Sequence, residues 1–234
     1  MNLQRLFCDQ LSFLAFKGVP KDFTEHRSAY LEWGLAITWL AGLGRYWDHP
    51  NALWFQYMGL GSVAYVFVLA LILFLILAPL RPKNASYLNI LTFVCLTSVP
   101  AILYAVPVER FMPLPAAQTA NAWFLAIVAA WRVGLLFWFM RFVCGLPWLI
   151  TIIAAFLPLA AIVIVLTVLN LEHVVFDLMA GIRPEDAGPN DVAYTVVATL
   201  GFISFFIAPI LLAGYLGTVI WRWRDKLPFG RKTS

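Results

Sequence analysis

The stretch "LGSVAYVFVLALILFLILAPLRPK", residues 60–83, carries no charge until Arg81 and Lys83 close it. Crossing the hydrocarbon core of a bilayer as a helix takes about 20 apolar residues, and this stretch supplies them. Lipid offers no partner to a backbone N–H or C=O, so a segment of this kind has to be a helix that bonds to itself. Carried back to its charge-free limit the run covers residues 51–80. Four more charge-free runs of sufficient length follow at 84–108, 111–131, 142–171 and 192–221. A further segment, 28–47, spans if Glu32 and Arg45 sit at opposite interfaces, since twenty residues rise about 30 Å as a helix. The expectation is an all-α polytopic membrane protein, six transmembrane helices in one bundle.

Composition agrees with that reading. Of 234 residues, 62% are hydrophobic and 12% charged, against about a quarter charged in a soluble globular domain. Such a chain has too little polar surface to cover itself in water. Ten tryptophans and nineteen phenylalanines suit interfacial aromatic belts. The isoelectric point of about 9.1 reflects basic membrane flanks; no Lys/Arg run is long enough to track the phosphates of a nucleic acid, so no nucleic-acid partner is expected. The three cysteines, Cys8, Cys95 and Cys144, make no CxxC and no disulfide framework.

The loops alternate in charge. Arg81 and Lys83 lie between the second and third spans, Arg141 between the fourth and fifth, and Arg222, Arg224, Lys226, Arg231 and Lys232 follow the last. The other loops hold Asp48, then Glu109, then Glu172, Asp177, Glu185, Asp186 and Asp191. The positive-inside rule then places both termini in the cytoplasm, in a plasma membrane or bacterial inner membrane. Residues 1–27 read as a cytoplasmic N-terminal segment, 28–221 as the transmembrane domain and 222–234 as a basic tail. In the first of these, Leu3, Leu6, Phe7, Leu11 and Leu14 recur at helical spacing. They predict an amphipathic helix on the membrane surface or on the inner ends of the bundle.

"GRYWDHPN", residues 44–51, has two readings. Tyr46 and Trp47 fit an aromatic belt, Arg45 snorkels, and Pro50 ends the helix. Asp48 and His49 exceed what a belt requires. By the expected topology they share one face of the membrane with Glu109, Glu172 and His173. Imidazoles and carboxylates together are the donors of a transition-metal site, with His49 and His173 the candidate ligands, and they also make a general acid/base set. No HxxxH or HExxH spacing fixes two ligands on one helical turn, and no cofactor is otherwise evident.

Arg132, in "FLAIVAAWRVGLLFWFM", lies about nine residues from the boundary at Arg141, roughly 13 Å by helical rise. A guanidinium at that depth needs a partner. Glu32 is the carboxylate at the most compatible depth, giving a buried ion pair; the alternative is a cavity in which Arg132 receives an anion or a lipid headgroup. Pro100, Pro158 and Pro209 fall inside apolar runs, where each removes a helical hydrogen bond.

Gly-rich phosphate loops, GxSxG and tandem acidic motifs are missing, which argues against ATP-driven transport by this chain alone. In layout only, a modest polar N-terminal segment ahead of clustered spans, the chain resembles the Yip family of membrane proteins. The Asp-Leu-Tyr-Gly-Pro motif of its eukaryotic members is absent, so the resemblance implies no activity. Three functions stay open: transport or binding of a small molecule or lipid, which the Arg132 position favours; a membrane-embedded enzyme; and a non-catalytic subunit. The expected partners are the lipid bilayer and another membrane protein or a second copy.

Overall fold

The computed structural model describes residues 2–18, 23, 25–47, 53–169 and 192–224. It is all-helical, with no strand among the described residues. The helices are α1 (Leu3–Leu14), α2 (Arg27–Tyr46), the single turn α3 (Trp54–Tyr57), α4 (Leu60–Leu77), α5 (Tyr87–Leu96), α6 (Leu114–Trp138), α7 (Trp148–Val168) and α8 (Val192–Arg224). A 3-10 segment, Val99–Ala105, follows α5, and a π-helical turn, Phe139–Val143, extends α6.

Four of these stretches are long and apolar enough to cross a membrane: Leu60–Leu80, Pro115–Val143, Trp148–Val168 and Ala198–Arg224. A fifth results if Tyr87–Leu96 and Val99–Ala105, bent by 40° at their junction, count as one span. The helices are thus compatible with a membrane-embedded protein. Helix α2 has the twenty residues expected of a sixth span, but it does not join this set, because Glu32, Arg45 and the small residues between them dilute its apolar character.

Helix α2 is small-faced for a reason. Its buried residues are Tyr30, Gly34, Thr38, Ala41 and Gly42, spaced to let neighbouring backbones approach. A Cβ on Gly34 would lie 2.8 Å from the Cβ of Cys95 on α5. Gly59, which opens α4, has φ +67, and a Cβ there would lie 2.8 Å from the Trp39 carbonyl oxygen. Only glycine meets both demands. This left-handed residue splits the 51–80 run, so that α4 begins at Leu60 rather than at the start of the apolar stretch.

The break after α5 organises the centre. Pro100 has no N–H, so the carbonyl of Leu96, four residues earlier, loses its helical donor. Gln10 of α1 replaces it: its Nε2 donates to the Leu96 oxygen at 3.0 Å. The Gln10 side-chain oxygen in turn accepts from Trp33 Nε1 of α2 at 2.5 Å. Alongside, Thr38 Oγ1 lies 2.8 Å from the Gly34 carbonyl and 2.9 Å from Ser98 Oγ. A hydroxyl has one proton, so Thr38 donates to Gly34 and accepts from Ser98.

Helix α1 is therefore built into the bundle. Tyr30 donates to Asp9 at 2.6 Å and Trp131 donates to the Leu14 carbonyl at 2.9 Å. Phe13 meets Phe93 and Trp138 edge-on. The face α1 buries is Leu6, Gln10, Phe13 and Leu14. The leucine stripe expected from spacing is rotated: Leu3, Phe7 and Leu11 are exposed, because the polar Gln10 is needed inward. Pro158 and Pro209, by contrast, sit within continuous helices.

Gln10 links α1, α2 and the break, so Gln10→Leu leaves the Leu96 carbonyl buried without a donor. The expected loss is about 1–3 kcal/mol of stability, read as a lower melting temperature of the detergent-solubilised protein. A melting temperature equal to that of the parent would remove Gln10 from this role.

Candidate functional site

The carboxylate–histidine set expected at one face is only partly in view. Asp48, His49, Glu172 and His173 lie outside the described residues. Glu109 falls in the 3-10 turn Val108–Arg110 that precedes α6. Among the described residues no group of three or more His, Cys, Asp and Glu is placed to hold a metal ion.

Glu32 and Arg132 are both described. Glu32 is exposed on α2 and Arg132 half-buried on α6. Among the described residues no ion pair joins them; Arg5–Asp9, at 3.8 Å on α1, is the pair present. In place of a carboxylate the Arg132 guanidinium faces the Tyr65 ring of α4, 5.7 Å from its centroid. That is near the outer limit for cation–π attraction and worth about 0.5–1 kcal/mol at an open site.

A second guanidinium converges on the same region. Arg45, in the last turn of α2, lies 4.9 Å from the centroid of the Tyr104 ring. Tyr104 belongs to the 3-10 segment beyond the Pro100 break, and Arg45 and Arg132 both act electrostatically on it. Its hydroxyl is buried and has no hydrogen-bond partner among the described residues. Local packing holds this geometry. A Cβ on Gly44 would lie 2.8 Å from the Ala105 Cβ, and Trp47 Nε1 donates to the Ala105 carbonyl at 3.0 Å. Arg110 covers the Trp47 ring at 4.8 Å. The arrangement is thus two cations and a phenol, contributed by α2, α6 and the broken span, beside the Tyr65 ring. It is suited to holding a negative charge.

Of the sequence candidates, Arg132 belongs to this cluster. Its companions Tyr104 and Arg45 are not apparent from sequence reasoning. The signal for them is the "LTSVP" stretch, residues 96–100, where hydroxyl residues precede a proline and mark a break that redirects the chain beyond it.

A separate polar assembly lies beyond the other end of α4. The Lys83 N–H donates to the Cys144 carbonyl at 3.1 Å, and Asn84 Nδ2 donates to the Val143 carbonyl at 3.3 Å. Arg141 donates to the Leu146 carbonyl at 2.9 Å. These bonds dock the α4–α5 turn on the α6–α7 turn and enclose Cys144. No family model, curated protein or solved structure matches the chain, so the functional reading rests on these residues.

Burial pushes the Cys144 thiol up to about 12, and the thiolate is the reactive form. With its pKa that far above the solution pH, Cys144 stays a neutral thiol across pH 7–9. Exposed Cys8 should therefore take up maleimide at pH 8 while Cys144 reacts only after denaturation. Equal labelling of the two in the folded protein would contradict the docked turns.

Proposed function

We propose that the chain binds a small anion or an anionic lipid headgroup within its helical bundle, as part of a transport or lipid-handling role. Arg132 and Arg45 are the cationic contacts and Tyr104 the hydroxyl donor. The observation that carries the reading is the Tyr104 hydroxyl, buried and without a hydrogen-bond partner among the described residues, with the Arg45 guanidinium over its ring and Arg132 near enough to act on it electrostatically; neither cation meets a carboxylate among those residues. A buried unsatisfied hydroxyl costs about 1–3 kcal/mol, and a guanidinium within a membrane span costs several more without a partner. An anion placed between them removes both penalties. The shared chemistry is a phosphate- or carboxylate-like group.

The test is the thermal shift of protein purified in neutral detergent. Three additions are compared: inorganic phosphate, short-chain phosphatidic acid and short-chain phosphatidylcholine. Stabilisation by phosphate assigns a free anion; stabilisation by phosphatidic acid alone assigns a headgroup. Arg132→Gln and Tyr104→Phe should each weaken the effective ligand about tenfold or more, as expected for a charge-assisted hydrogen bond. Shifts identical in all three additions, or unchanged in Arg132→Gln, would refute the reading.

We further propose that α2 completes a six-span bundle with both termini cytoplasmic, which the alternation of basic and acidic loops supports. Cysteines introduced singly at Asn84 and Asn190 should then label from opposite sides of the membrane. Labelling from the same side ends this topology.

A further inference from the structure

Beyond the end of α4 the chain gathers cations that the Arg132 cluster does not use. Arg81, just past the 3-10 turn Ala78–Leu80, has φ +47, and its guanidinium lies over the Trp223 ring, 3.7 Å from the centroid. Trp223 is itself held there, donating from Nε1 to the Pro79 carbonyl at 3.0 Å. Its neighbour Arg222 donates to the Leu80 carbonyl. The α4–α5 turn carries Lys83, and the α6–α7 turn docked on it carries Arg141. Arg224 ends α8. Three chain segments thus bring Arg81, Lys83, Arg141, Arg222 and Arg224 to one end of the bundle.

These cations differ in what they already do. Arg222 and Arg141 are half-buried and donate to carbonyls; Arg81, Lys83 and Arg224 are exposed. None of the five is in an ion pair with a carboxylate among the described residues. The sequence past α8 holds Lys226, Arg231 and Lys232 against Asp225 and is basic on balance. Exposed aromatic side chains adjoin the cations along the chain, Phe142 next to Arg141 and Trp221 and Trp223 on either side of Arg222, while exposed Trp148 opens α7. Tryptophan at the end of a membrane-crossing helix sits at headgroup level. A free anion would match the charge alone; a phospholipid matches charge and aromatic collar together, with phosphate on the cations and glycerol and upper acyl chain on the rings.

We propose that this end of the bundle is a binding site for an anionic phospholipid, its phosphate held between Arg81, Lys83 and Arg224. The site is independent of the Arg132 reading. Its contacts add to the general attraction between basic flanks and anionic lipid, which is worth about fivefold in affinity per cation, because here the cations are carried on turns and a helix end fixed by backbone bonds.

Native mass spectrometry tests it, on full-length protein exchanged into detergent with equimolar phosphatidylglycerol and phosphatidylcholine. The parent should retain phosphatidylglycerol preferentially. The triple variant Arg81→Gln, Lys83→Gln, Arg224→Gln removes exposed charges and leaves the Arg222 and Arg141 carbonyl bonds in place, so folding should survive; an unchanged melting temperature checks this. The comparison is made on an Arg132→Gln background, which removes lipid held by the Arg132 cluster; there the preference should persist, and adding the triple substitution should lose it by at least about tenfold. A triple variant that keeps the preference on that background, a parent that shows none, or displacement of the lipid by millimolar inorganic phosphate would each overturn the proposal.

Discussion

The structure depends on one carbonyl. Pro100 leaves the Leu96 oxygen without a helical donor inside an apolar bundle, where water is not there to replace it. Gln10 supplies the missing N–H, and so the N-terminal helix is fastened to the break by a polar bond. Hydrophobic contact alone is a weak reason for a helix to leave lipid for protein, since the two are similarly apolar. A buried acceptor is a strong one. Once Gln10 is fixed, Asp9 faces Tyr30 and Phe13 enters between Phe93 and Trp138. The burial of α1 is then a consequence of the proline.

The same break decides where the cationic cluster lies. An unbroken helix through residues 87–105 would run straight past the end of α2. The 40° bend instead lays the 3-10 segment against it, with Gly44 permitting the approach to Ala105. Tyr104 then comes beneath Arg45, within the field of Arg132. Thr38 and Ser98 pair across the bend, so its polar atoms do not compete for Tyr104.

Most of the architecture was legible in the sequence because lipid imposes so blunt a rule: charge-free runs of sufficient length become helices. The runs at 51–80, 111–131, 142–171 and 192–221 overlap helices long and apolar enough to cross, Leu60–Leu80, Pro115–Val143, Trp148–Val168 and Ala198–Arg224, and the run at 84–108 is bent by 40° into two pieces. That rule cannot supply the ends of helices, which side chains and close approach decide. Gly59 set the start of α4, and its need for φ > 0 appears only when α2 is packed beside it. The orientation of α1 departs from its leucine pattern because one glutamine outweighs three apolar side chains. For the candidate site, depth alone marked Arg132 as needing a partner, and it pointed to Glu32. Depth fixes neither azimuth nor neighbour. Helix α6 turns Arg132 toward Tyr65 and the broken span, and the residues there, Tyr104 and Arg45, became neighbours only through a bend that periodicity does not encode.

Helix α8 carries the same dependence on polar bonds to the other edge of the molecule. It packs chiefly on α7 and leaves Phe202, Phe205, Phe206, Ile210 and Ile220 exposed, so apolar burial does little to choose its place in a lipid solvent. Its polar bonds choose it. Tyr215 donates to the Ile76 carbonyl at 2.8 Å, Trp223 to Pro79 and Arg222 to Leu80. Those acceptors belong to the last turns of α4 and its 3-10 extension, where the final carbonyls of any helix lack intrahelical donors. The unsatisfied end of one helix thus selects the register of another, and in doing so it draws Arg81 onto Trp223 and gathers the cations at that end. In both halves of this molecule a carbonyl that its own helix cannot satisfy determines what packs beside it, and the charged groups follow from that placement.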